Sequence, residues 1–265
     1  MDLCTTRPMR SAAVADQYFR LLEERGFTPA RIDKTEPIRT VYTRDMAVEM
    51  WTHAEPACRV DGVGMVGEAG GVLAKGSKPA FWTDVWWWDC PDRVNLSYLT
   101  FHVSGAAFAR YADAVESLFL DTIVLIDAEY GYITDATVEM RQHEPGTLRT
   151  RMPGVFWANY FGPRYVAFFT PVKLDTGPWV RRQAWHQGLV TWLAVSPHDL
   201  VDDTDPEERA KDHLGRHYFG DRRAYEEGVR QNPRWRPPHR PVPDLRGPHP
   251  VPADDGTPPL NIRGM

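Results

Sequence analysis

The stretch Phe81-Trp-Thr-Asp-Val-Trp-Trp-Trp-Asp89 constrains this chain more than any other. Alternation along a strand sends Phe81, Thr83, Val85 and Trp87 to one face and Trp82, Asp84, Trp86 and Trp88 to the other. Both faces are apolar, so a sheet built on this strand is either covered on both sides or leaves one aromatic face open for a partner. Coverage by the chain's own helices is the favoured expectation. Residues 90–93 read as a turn and residues 94–103 as the return strand, whose Leu96, Tyr98, Leu99, Phe101 and Val103 again fill both sides. The core is expected to centre on this antiparallel pair.

The surrounding pattern predicts an α+β fold, mainly antiparallel sheet with packed helices. Residues 11–25 form an amphipathic helix, with Val14, Tyr18, Leu21 and Leu22 on one side and Gly26 closing it. Residues 38–43 and 46–52 read as a hairpin turning at Arg44-Asp45. The glycines between Asp61 and Gly76 lack the spacing of a nucleotide loop and suggest a loop with one glycine-rich strand. Residues 105–120 carry a continuous apolar stripe and predict a second helix; residues 123–126 suit either its continuation or a short strand. Two β-prone runs surround Gln187-Gly188, and residues 206–218 read as helix. Strands followed by helix in each half suggest two related α+β units, taken here as one domain over residues 1–232. Residues 233–265 hold ten of the chain's 23 prolines and predict an extended or disordered tail.

Residues 152–169, Met-Pro-Gly-Val-Phe-Trp-Ala-Asn-Tyr-Phe-Gly-Pro-Arg-Tyr-Val-Ala-Phe-Phe, read as a strand turning into a helix. Val155 to Ala158 suit the strand, Gly162 the turn, and Pro163 the first helical position. Together with Tyr130-Gly-Tyr-Ile-Thr134, this stretch resembles the central signature of bacterial immunity proteins, in particular the immunity protein 52 family and its relatives linked to type VI secretion. The resemblance rests on Trp157, Asn159, Tyr160, Phe161, Gly162 and Pro163. It implies a small α+β fold and a non-enzymatic partner that binds and neutralises a cognate protein toxin. It carries over no catalytic residue and no toxin-contacting residue.

The 265 residues carry a formal charge of −5, which argues against nucleic acid and suits a basic protein partner. No apolar run reaches the roughly 18 residues of a membrane span, so a cytoplasmic protein without membrane contact is expected. Cys4, Cys58 and Cys90 form no C-x-x-C pair, so no disulfide framework or thiolate zinc site is expected, and a reducing compartment follows. No cofactor is expected, and the oligomeric state is left open.

Several side chains are candidates for chemistry or binding. His213 and His217 are spaced to share a helix face and are weak candidates for a metal, since position 214 is Leu where a metalloprotease motif has Glu. Asp84 and Asp89 bracket the tryptophans as the two acids of a glycosidase bracket a sugar, without a recognisable second pair. Asp202, Asp203 and Asp205 form an acidic loop that would steer a basic partner. The preferred reading is an immunity-type binding protein with an aromatic hot spot at Trp86 and Trp88 and an acidic rim at 202, 203 and 205. The rivals are a metal-dependent or carboxylate hydrolase and a homo-oligomeric scaffold.

Overall fold

The structure is a computed structural model, which describes residues 1–60, 64–90, 94–146 and 148–246. The chain separates into two compact units, Met1–Ile133 and Thr134–Met265. Both combine antiparallel strands with helices, the α+β class expected.

The first unit runs β1 (Asp2–Thr5), α1 (Ala12–Glu24), β2 (Arg31–Asp33), β3 (Thr40–Val41), α2 (Arg44–Thr52), β4 (Glu55–Val60), β5 (Gly64–Ser77), β6 (Ala80–Asp89), β7 (Ser97–Val103), α3 (Gly105–Ile126) and β8 (Tyr130–Ile133). Its strands lie in the order β8-β1-β7-β6-β5-β2-β3, with β4 also paired to β5. The aromatic stretch is β6, at the middle of this sheet, and β7 is its antiparallel return. Phe81, Thr83, Val85 and Trp87 are buried as alternation requires. Tyr18 of α1 reaches Thr83 through a 2.7 Å hydroxyl contact. The Trp87 indole donates to the Trp51 carbonyl at 2.7 Å, and the Trp51 indole donates in turn to the Met9 carbonyl at 2.6 Å. These paired indoles let large side chains enter the core without stranding a donor.

The glycines of β5 acquire a steric reason. A Cβ at Gly70 would run into the Trp87 ring on the inner face, and one at Gly71 would stand 2.9 Å from the Trp86 ring on the outer face. Two neighbouring tryptophans of β6 therefore lie across β5 in opposite directions because β5 is bare there.

Two expectations for this unit are corrected. Residues 46–52 are not the second arm of a hairpin but belong to α2. The Thr43 side chain accepts from the Met46 N–H as its cap, and Ala47 and Trp51, four apart, are buried on one side. Strand propensity of Val48 and Trp51 yields here to the burial that a helical period provides. Cys58 and Cys90 are joined in a disulfide, with Cα atoms 5.9 Å apart, although their separation of 32 residues carried no framework signal. The β4–β5–β6 pairing brings them together. The inference of a reducing compartment relied on unpaired cysteines and loses that ground. Residues 123–126 continue α3 through to Ile126. Most of the turn expected at residues 90–93 lies outside the described residues.

The second unit runs α4 (Ala136–Gln142), β9 (Ala158–Phe161), α5 (Pro163–Phe169), α6 (Pro171–Asp175), β10 (Arg181–Trp185), β11 (Gly188–Trp192), α7 (Asp199–Asp202), α8 (Asp205–Leu214) and α9 (Arg222–Gln231). Its strands lie in the order β10-β11-β9, antiparallel throughout. Pro163 opens α5 at its first position, as expected. The strand before it starts at Ala158 rather than Val155, and the cause is local. Val155 exchanges both backbone bonds with the Gln142 carboxamide, at 2.9 and 3.1 Å, and Phe156 exchanges both with Asn159, each at 2.8 Å. Side-chain amides thus satisfy the backbone that a sheet ladder would otherwise pair.

Residues 233–246 of the expected tail contain no helix or strand. They are tied down at Arg240, whose N–H donates to Thr150 at 2.9 Å, and at Leu245, which is buried. The remainder of the tail lies outside the described residues.

Candidate functional site

Antiparallel register places the outer side chains of β6 in rows with their neighbours. Trp82 stands opposite Lys75 and His102; Asp84 opposite Leu73 and Thr100; Trp86 opposite Gly71 and Tyr98. The Asp84 row continues through Thr100 to Asp2 on β1 and Tyr132 on β8. A carboxylate thus sits within a field of Trp82, Trp86, Trp88, Tyr98 and Tyr132. Trp82 and His102 stack with ring centroids 4.9 Å apart, and Trp88 meets Tyr98 edge to face at 6.1 Å. Trp88 is 37% exposed, and Trp82, Trp86 and Tyr98 are half-buried. The aromatic face is therefore not sealed, whereas the opposite face of the same strand is. Beside the stacked pair, a hollow of about 540 Å³ is lined by Lys75, Trp82, His102 and Ile38.

Asp84 is the unusual group on this face. It is only 8% exposed, and its Oδ1 is buried with no hydrogen-bond partner. Burial is the main cause that pushes its carboxyl up to about 6, and the neighbouring Asp2 adds to it; the Trp86 and Thr100 side chains act in the opposite sense. Thr100 donates its hydroxyl to Asp2 Oδ1 at 3.0 Å. Among the described residues no Lys, Arg or His forms an ion pair with Asp84. Trp86 and Trp88 were legible as candidates from the strand alone. Asp84 was legible as an acid beside them, but its burial and its neighbour Asp2 were not, because both arise from strand pairings distant in sequence.

The acidic residues belong to the second unit. Asp202 ends α7, Asp205 opens α8, and Asp203 accepts the Asp205 N–H at 3.0 Å. All three are exposed. Their loop is anchored from beneath by Arg141, which donates to the Val201 carbonyl at 2.8 Å, to the Leu200 carbonyl, and to the buried Glu207. Burial raises the Glu207 carboxyl while Arg141 opposes the rise.

The motif residues are interior. Trp157, Asn159, Tyr160, Phe161, Gly162 and Pro163 are all buried, and the Trp157 indole donates to Ala194 at 3.0 Å. They build the corner between β9 and α5 and present no open surface.

His213 and His217 do not share a helix face. Helix α8 ends at Leu214, Gly215 takes a φ of 113°, and His217 falls in a separate 3-10 turn, Arg216–Tyr218. The Gly215 break is what the sequence spacing could not register. His213 Nε2 meets the Lys173 carbonyl at 2.7 Å, and Lys173 Nζ donates back to the Leu214 carbonyl at 2.7 Å. Among the described residues no group of three or more His, Cys, Asp or Glu is placed to hold a metal ion. Among the same residues, no helix is long and apolar enough to cross a membrane.

No family model matches the chain, and no curated protein matches its sequence. Among solved structures, the fold is similar to that of a Pseudomonas aeruginosa T6SS protein, PA0821. The two share 15% identity with a TM-score of 0.54, over 80% of this chain and 71% of the other. At that identity the likeness is one of fold.

Proposed function

We propose that this chain is an immunity-type binding protein, which neutralises a cognate bacterial toxin by direct, non-catalytic contact. The observation that carries the reading is the unsealed aromatic face of β6 and β7, with Trp86 and Trp88 beside the carboxyl of Asp84. Tryptophan and tyrosine dominate protein-binding hot spots because they bury large area at low entropic cost. The resemblance of the central motif to immunity proteins supports the reading. So does a structural neighbour described as a T6SS protein. The exposed acids at 202, 203 and 205 supply a negative surface suited to a basic partner, which would act on association rate more than on affinity.

The test is co-expression. The carboxy-terminal domains of secreted toxins from the source organism are each expressed in a sensitive host, with and without this chain. Rescue of growth together with a stoichiometric purified complex supports the proposal. Continued killing, with no complex, overturns it.

One observation favours a second reading, the carboxylate hydrolase. A carboxyl raised to about 6 is also suited to proton donation near neutral pH. That reading requires turnover of a substrate that Asp84→Asn abolishes, whereas rescue by a binding protein requires no turnover.

A further inference from the structure

We infer that Asp84 is an anchor for a guanidinium group, an arginine side chain of the protein partner, received on the outer face of β6 between Trp82 and Trp86. The inference rests on the binding reading given above and specifies the chemistry that this face accepts.

The first ground is an unmet valence. Asp84 Oδ1 is buried with no hydrogen-bond partner; the side-chain hydrogen bonds that reach the carboxyl come from Trp86 and Thr100, both uncharged, and its charged neighbour along the row is Asp2 rather than a cation. A buried carboxylate in that condition is costly to the free protein and gains most from a cation that also donates hydrogen bonds. The second ground is the wall. Trp86 lies over the bare backbone of Gly71, and Trp82 is stacked on His102, so flat π faces adjoin the carboxyl. A planar guanidinium can stack on such a face while its N–H groups reach the carboxylate, which a compact ammonium does less well. The third ground is local charge. Within the outer rows of β1, β5, β6 and β7, the ionisable side chains are Asp2, Cys4, Lys75, Tyr98 and His102; burial first, and the Met1 ammonium after it, hold the His102 imidazole below its ordinary value. Lys75 stands in the neighbouring row, opposite Trp82. Asp84 lies 8% exposed between half-buried rings, so a guest reaches it by displacing those rings and not the backbone.

The test uses the full chain and two small probes, N-acetyl-arginine amide and its uncharged counterpart N-acetyl-citrulline amide, with the Trp86 indole N–H and the Asp84 carboxyl carbon followed by NMR. The expected result is saturable shifts of both signals by the arginine probe, with at least tenfold weaker binding of the citrulline probe. Asp84→Asn abolishes the tenfold preference, and Trp86→Ala weakens both probes. Equal binding of the two probes to the wild-type chain overturns the inference, as does a preference that survives Asp84→Asn. If the variant does not fold, the wild-type comparison decides alone. A complex with a toxin that forms despite a failed probe test removes the anchor and leaves the binding function standing; an arginine preference with no toxin complex removes the function and leaves the anchor.

Discussion

The Asn159 carboxamide holds the backbone of Phe156 at two points: its Oδ1 accepts the Phe156 N–H and its Nδ2 donates to the Phe156 carbonyl, both at 2.8 Å and both buried. Replacing Asn159 with Ala strands two buried backbone groups. The expected cost is about 2–4 kcal/mol, read as a lower denaturant midpoint with an unchanged slope. An unchanged midpoint would show that the clamp is dispensable.

Arg141 ties α4 to α7 through the Leu200 and Val201 carbonyls and to α8 through Glu207, which is 1% exposed. Arg141→Ala leaves that carboxylate buried and unpaired, at an expected cost of about 3–5 kcal/mol. The double change with Glu207→Gln should recover much of the loss in the same denaturation experiment.

Asp84 gives a pH signature of the opposite sign to a usual ion pair. Its folded-state carboxyl is raised from 3.8 to about 6, so the folded state binds the proton more tightly than the unfolded state does. Below 3.8 both states are protonated and there is no cost; as pH rises towards about 6 the cost develops, and it is constant above. Asp84→Asn should therefore stabilise the free protein at pH 7, by on the order of 1–3 kcal/mol after allowing for partial solvation. The gain should vanish below pH ~4. Thermal melts of both chains across this range check the sign. A variant that is less stable at neutral pH would mean that Asp84 is satisfied in the fold. A group kept at a cost in stability fits a binding role.

Cys4 is buried and its thiol is raised well above the ordinary value, burial being the main cause. With Cys58 and Cys90 joined, the native protein should show no reactive thiol, and the unfolded, unreduced chain should show one. Three thiols on unfolding would mean an open pair and would restore the expectation of a reducing compartment. Reduction should cost about 2–4 kcal/mol of stability.

The sheet was legible where β-prone residues run together: β6, β7, β10 and β11 follow from their own residues, as do α1 and α3. Less was legible where side chains take over backbone bonding. Gln142 and Asn159 delay β9 by satisfying Val155 and Phe156, and Thr43 converts an apparent hairpin arm into α2. The aromatic half of the candidate site was visible as Trp86 and Trp88. Asp84 was visible too, as one of the two acids bracketing the tryptophans; its neighbour Asp2 was not, because the two come together only through the β1–β7–β6 register. The acids at 202, 203 and 205 lie at the end of α7, in the link and at the start of α8, and the support this link receives from Arg141 is a long-range contact that the sequence does not display.

The most direct test of the account is a binding isotherm for a toxin domain whose killing this chain relieves on co-expression, measured by calorimetry with the wild-type chain and with Trp86→Ala/Trp88→Ala. The account predicts a saturable complex with the wild type. It also predicts a loss of at least thirtyfold in affinity for the double variant, the roughly 2 kcal/mol expected of a hot spot. Absence of binding by the wild type, or undiminished binding by the double variant, would contradict the claim that this aromatic face is the binding surface.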